Sequence, residues 1–148
     1  MVSKNWLLLI LLLLIICIVA TVLYAVPGAL EPEIEIVVRK NRYDKEENLQ
    51  LKITNNLKKN ICFSSCYPYY LESSVNGEQW QVYQYDNCPW EDIIEKCMSS
   101  QQIRAFELSL NGAKEGHHRI VIPVCENCQE GQNFKETKKV YSPIFEIN

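Results

Sequence analysis

Hydrophobic positions fall along the chain in two patterns: one unbroken run, and then short stretches in which every second residue is apolar. Of the 21 residues from Trp6 to Val26, 20 are apolar, Thr21 being the exception. At about 1.5 Å per residue a helix of that length reaches roughly 32 Å, close to the thickness of a bilayer's hydrocarbon core. The pattern therefore predicts one transmembrane helix over residues 6–26, in which Thr21 can return its hydroxyl to the helix backbone. A cleaved signal peptide has a shorter apolar core, about 7 to 15 residues, followed by a small-x-small site. The exit Leu23-Tyr24-Ala25 has a large residue where a small one is wanted, so the run reads as an uncleaved anchor, with Cys17 a thiol inside the membrane. Lys4 is the only charged side chain before Glu31, and no Lys or Arg follows the run until Arg39. By the positive-inside bias residues 1–5 are cytoplasmic and everything after the run faces outward.

Residues 27–32, with Pro27-Gly28 and Pro32, read as a short linker. From residue 33 the period is two. Ile34, Ile36 and Val38 alternate with their neighbours, as do Leu49, Leu51 and Ile53 with Gln50, Lys52 and Thr54. Asn76-Gly77-Glu78 separates two further extended runs, Tyr69 to Val75 and Gln79 to Tyr85, a hairpin signal because Asn and Gly accept positive φ. Residues 86–100 are irregular, with a helical turn or two expected within Trp90 to Lys96. Extended runs return over Gln102 to Leu110, over His118 to Val124 and over Val140 to Ile147, where Pro143 marks a bulge or an edge. About seven short strands with turns between them in residues 33–148 predict an all-β domain, an antiparallel immunoglobulin-like β-sandwich.

Charge narrows what such a domain does. After residue 30 there are 14 Lys and Arg against 18 Asp and Glu, a net charge of −4, which offers no basic footprint for nucleic acid. Two His, no Gly-rich phosphate loop and no nucleophile motif leave most enzyme classes without their parts, so no catalytic residue, metal or cofactor is expected.

The order of elements resembles the bacterial immunoglobulin-like domains of small secreted or membrane-anchored envelope proteins. The residues that carry the resemblance are Asn55 after an early strand, Glu72, Gly77 and Trp80 in the central hairpin, Gly116 before Arg119-Ile120, and the terminal Phe145-Glu146-Ile147. Where that family usually has a Tyr before the Arg, this chain has His118. The resemblance implies the fold and a binding or structural role outside the cytoplasm.

Six of the seven Cys follow the apolar run, at 62, 66, 88, 97, 125 and 128. An even count in a small outward-facing domain reads as three disulfides. A three-residue turn at 76–78 makes opposed positions sum to 154, so Cys66 faces Cys88; a two-residue turn shifts the match by one. Cys125 and Cys128 are close enough in sequence to bridge locally, which leaves Cys62 for Cys97. Two other uses of the same residues stand beside this one. Cys62, Cys66, Cys125 and Cys128 have tolerable spacing for a zinc site. Cys125-x-x-Cys128 has the spacing of a thiol-disulfide carrier, although no helix follows to lower the attacking thiol's pKa.

Tyr67, Tyr70, Tyr83, Tyr85 and Trp90 gather near one end of the central hairpin and are candidate partner-binding aromatics. Glu91, Asp92 and Glu95 read as a solvated acidic face, and His117-His118 as polar residues at a strand edge. The expectation is thus a single-pass protein of the cell membrane whose outer domain binds another envelope protein or has a structural role. The alternatives are the carrier and an inhibitor of proteinases that would act through the loop from Asp86 to Cys97.

Overall fold

The computed structural model describes residues 6, 10–18, 32–83, 88 and 90–148. The chain divides into two compact units, Met1–Glu31 and Pro32–Asn148. In the first, residues 10–18 are helical, and the Leu and Ile side chains among them are all about half exposed. Among the described residues no helix is long and apolar enough to cross a membrane. The expected span over 6–26 extends outside the described residues, as do residues 1–5 and most of the linker.

The second unit is built of β-strands. Its smaller sheet has the order β1 (Ile34–Val38), β3 (Asn48–Asn55), β8 (Ile103–Ser109), all antiparallel. The larger runs β2 (Arg42–Tyr43), β11 (Phe145–Ile147), β9 (Gly116–Glu126), β4 (Ile61–Phe63), β7 (Lys96–Met98). To it are added β5 (Tyr70–Ser74) and β10 (Lys138–Tyr141), which pair with β9, and β6 (Gln81–Val82), which pairs with β5. All these pairings are antiparallel except β11 with β2, which is parallel.

Alternation explains the packing. Ile34 and Ile36 on β1 and Leu49, Leu51 and Ile53 on β3 are buried, while Gln50 and Lys52 between them are not. These residues meet Ile61, Phe63, Ile120, Ile122, Val124, Phe145 and Ile147 of the larger sheet in one core. Burial of such side chains, each worth about 1.5 to 3 kcal/mol, is what holds the two sheets together.

The strands are more numerous than period two alone predicts, and the reasons are local. The expected Val140–Ile147 strand breaks around Pro143 into β10 and β11, which pair with different stretches of β9. No helical turn forms within 90–96: Ile93 bridges to Asn133, Ile94 is 1% exposed, and β7 begins at Lys96. Pro123 is inside β9, a central strand. It faces the gap between β4, whose partners on β9 begin at Val124, and β5, whose partners end at Val121, so no ladder on that side calls on its missing N–H. Gly116 opens β9 with φ of 124°, a conformation only Gly adopts readily, so it is the backbone angle and not lack of space that calls for Gly there.

Candidate functional site

The hairpin of β5 and β6 sets up the chemistry around it. Glu72 pairs with Val82 and Ser73 with Gln81, and Tyr83 N–H donates to the Leu71 carbonyl at 3.0 Å, so opposed positions sum to 154. The turn is wider than three residues and is held by side chains. Ser74 Oγ accepts the Gly77 N–H at 2.9 Å, and Asn76 Oδ1 accepts those of Glu78 and Gln79. Extended past the ladder, the same register brings residue 66 opposite 88, and Cys66 and Cys88 are joined with Cα atoms 5.6 Å apart.

The other two disulfides are Cys62–Cys97 and Cys125–Cys128. The four Cys of the zinc reading are thus distributed over all three bridges, which leaves no thiolate to bind a metal. The structure also makes an arrangement of sulfurs that spacing does not reveal. Cys62 on β4 is registered with Cys97 on β7 and with Cys125 on β9, so the three form one row across adjacent strands. The row lies on the face opposite the main core. Ile61, Phe63, Met98 and Val124 point into that core, while Cys62 and Cys125 join Ile94 in a second buried cluster that Cys97, Cys128 and Phe134 cover. Asn127, with φ of 59°, turns the chain back so that the Cys128 carbonyl sits 3.2 Å from Cys62 Sγ. Asn60 Nδ2 donates to that same carbonyl and lies 3.8 Å from Cys62 Sγ.

The described aromatic candidates stand in different surroundings. Tyr67 and Tyr70 stack at 5.7 Å between centroids, and Tyr67 Oη accepts the Cys88 N–H at 2.7 Å beside the Cys66–Cys88 bridge. Partial burial raises the Tyr70 pKa above the usual phenol value, helped by the carboxylate of Glu136. Trp90 is 67% exposed. Tyr83 instead packs on the core, accepts the Lys114 N–H at 2.7 Å and meets His118 Nε2 at 3.3 Å. Tyr85 lies outside the described residues, as do residues 86, 87 and 89 of the loop from Asp86 to Cys97 on which the inhibitor reading rests.

Two clusters escaped sequence reasoning. Asp92 is no part of a solvated acidic face. Its carboxylate accepts the Ser64 hydroxyl at 2.6 Å, the Ser65 N–H at 2.9 Å and the Cys66 N–H at 3.2 Å, closing the loop between β4 and β5. Arg119 is held between Trp80 and Tyr141, its guanidinium carbon 4.2 and 4.5 Å from the ring centres, while Nε donates to Glu72 at 2.6 Å. Three of the residues that carried the family resemblance, Glu72, Trp80 and Arg119, thus form one packed ion-pair and cation–π assembly.

His118 is not at a strand edge. It is fully buried against Phe145, and its pKa is pushed down to about 4, chiefly by burial and secondarily by His117. Because the Gly116 carbonyl can only accept, the neutral ring carries its proton on Nδ1 and donates it there at 3.2 Å, which leaves Nε2 to accept the Tyr83 hydroxyl proton.

A cavity of about 270 Å³ opens between the sheets, lined by Leu51, Ile53, Phe63, Tyr69, Phe106 and Ile122, with Arg104 and Lys96 among its polar boundary. It exists because β8 is the outer strand of the smaller sheet. Phe106 and Leu108, opposite Leu51 and Leu49, face inward but keep part of their surface open, Phe106 at 38%. Among the described residues no group of three or more His, Cys, Asp or Glu is placed to hold a metal ion.

No protein-family model matches this chain, and no curated protein does so. Among solved structures it is similar to the Pseudomonas fluorescens alkylpurine DNA glycosylase AlkC bound to DNA containing an abasic site analog. The identity is 12% and the TM-score 0.37, over 80% of this chain and 31% of that one. The chain thus spans about a third of that protein's length, and a likeness of this degree bears on neither activity nor ligand.

Proposed function

We propose that this chain is a membrane-anchored, extracytoplasmic module of immunoglobulin-like type that binds a partner or has a structural role at the cell envelope, and that it does not act on nucleic acid. The observation that carries the reading is that all six Cys of residues 32–148 are joined in three disulfides. Reduced cytosol does not sustain such a set, whereas the outer side of a membrane does. The apolar run from Trp6 to Val26 behind Lys4 supports the same side. Two sheets about one core, with Glu72, Trp80 and Arg119 interlocked, support the immunoglobulin-like type. The exposed Trp90 and the apolar cavity bounded by Phe106 and Tyr69 are places where a partner's apolar groups would be received.

Protease added to intact cells tests the placement. Residues 32–148 should be lost without lysis. Protection until the membrane is opened overturns the outward orientation.

A further inference from the structure

We propose that Cys62 is a swivel between two disulfide partners, so that the row Cys97, Cys62, Cys125 works as a thiol-disulfide relay across the larger sheet. Strand register brings the three Cys together. Cys62 stands directly opposite Cys97 on one side and Cys125 on the other. Directly opposed residues of antiparallel strands project to the same face. Cys62 and Cys97 are 4.0 Å apart at Cα. On the other side Asn127 N–H donates to the Asn60 carbonyl, so two residues further on Cys62 and Cys125 form a hydrogen-bonded pair, with Cα atoms about 5.5 Å apart, inside the disulfide window of about 4.4 to 6.8 Å. A Cys62–Cys125 bridge therefore keeps the strand register and asks only that the two Cβ atoms close from about 5.5 Å to about 4.5 Å.

Access decides which sulfurs an external thiol can enter. Cys125 is 1% exposed and Cys62 is 0%, while the two outer sulfurs, Cys97 and Cys128 on the turn made by Asn127, are partly open. Entry at either gives the same products, and at Cys128 a thiolate of an external dithiol reductant attacks Sγ. The Cys125–Cys128 bond breaks, a mixed disulfide forms on Cys128, and the electron pair leaves on Cys125, the sulfur that stands beside Cys62. Cys125 thiolate then attacks Cys62 Sγ, forming Cys62–Cys125 and releasing Cys97 as a thiolate. The second thiol of the reductant resolves the mixed disulfide on Cys128 and leaves as an oxidised disulfide. In sum one external dithiol is oxidised, Cys97 and Cys128 each end with one of its two protons, and the protein keeps two of its three disulfides.

The surroundings suit this sequence. Asn60 Nδ2 is an amide donor 3.8 Å from the central sulfur, over which negative charge spreads during exchange. Arg104 donates to the Cys97 carbonyl at 2.9 Å, which sets a cation near the leaving thiolate, against the Glu130 carboxylate that accepts the Cys97 N–H at 3.2 Å. β7 ends the strand order, so the new thiol appears at the sheet edge, two strand spacings or roughly 10 Å from the strand where reduction entered.

The test uses the full chain in detergent. In Cys128→Ser the thiol of Cys125 is left without its partner, and no reductant is needed for Cys125 to exchange with Cys62–Cys97. The two pairings have the same number of bridges and the same strand register, so both should be recovered from the variant. Alkylation followed by non-reducing peptide mapping should recover Cys62 linked to Cys125 with label on Cys97. Recovery of Cys62–Cys97 alone, with label on Cys125, overturns the proposal.

Should that variant fail to fold, the unaltered chain treated with one equivalent of a small dithiol gives a second reading. Label on Cys97 and Cys128 is expected. Label on Cys125, on Cys62 together with Cys97, or on Cys66 together with Cys88 overturns the relay.

Discussion

At position 118 a titratable ring sits in an apolar core, where its neutral form satisfies both nitrogens and its charged form satisfies neither the Tyr83 proton nor the surrounding apolar groups. The sign of the pH effect follows from the direction of the shift. The folded pKa of about 4 lies below the unfolded value near 6.5, so the unfolded chain takes the proton first as pH falls. Stability from this group is complete above about pH 6.5 and is lost between there and about pH 4, at no more than about 1.4 kcal/mol per pH unit. Urea unfolding at pH 7.5 and 5.5 should show the loss, and His118→Phe should flatten it. An unchanged slope in the variant would assign the pH dependence to other groups. Arg119 is the second residue whose role depends on shape. Its planar guanidinium fills the space between Trp80 and Tyr141 and donates to Glu72, whereas an ammonium gives only a point charge. Arg119→Ala should cost about 2 kcal/mol, and Arg119→Lys should restore less than half of it, read from denaturant midpoints.

Strands here are fastened to one another by buried polar groups as much as by ladders. Asn55 ends β3 at 0% exposure, and its amide donates to the carbonyls of Lys59 at 2.9 Å, Ser99 at 3.0 Å and Met98 at 3.3 Å while its oxygen accepts the Leu57 N–H. One side chain thus joins the end of β3, the turn after it and the exit of β7. Asn55→Ala should destabilise by about 2 to 4 kcal/mol, because it leaves buried carbonyls without a donor. Asn55→Asp should cost more, since a carboxylate facing those carbonyls adds repulsion, and thermal melts of the two variants rank them. The disulfides differ by loop length in the same way. With separations of 35, 22 and 3 residues, the chain-entropy picture assigns about 4, 3 and 2 kcal/mol to Cys62–Cys97, Cys66–Cys88 and Cys125–Cys128. Replacing both Cys of a bridge by Ser should follow that order of loss in midpoint. Much at this scale was legible in the chain, because the period of two and a turn sum of 154 are local quantities, and they led to the Cys66–Cys88 pair. The approach to β7 was not. Residues 90–96 carry no alternation, and what makes them extended is Ile94 packing under Cys62 and Cys125, a contact between segments about 30 residues apart.

For the whole molecule, the two compact units make the domain's independence the quantity to measure. Residues 32–148 have their own core and all three bridges, so a chain beginning at Pro32 should fold and melt cooperatively at the temperature of the full chain's β unit. A non-cooperative melt would show that the first unit contributes to the fold. By itself the sequence determined the division into an apolar run and a β-rich remainder, the faces of β1 and β3, and the hairpin register, because each follows from residues near one another in the chain. Only the tertiary structure decided which strands are neighbours, and hence that Cys62 stands between Cys97 and Cys125. It also decided that Arg119 lies between rings 39 and 22 residues away, that Asp92 closes a distant loop, and that His118 turns inward. The physical reason is that alternation tells which face of a strand is apolar but carries no information about which strand lies beside it, and these sites are made by side chains on neighbouring strands.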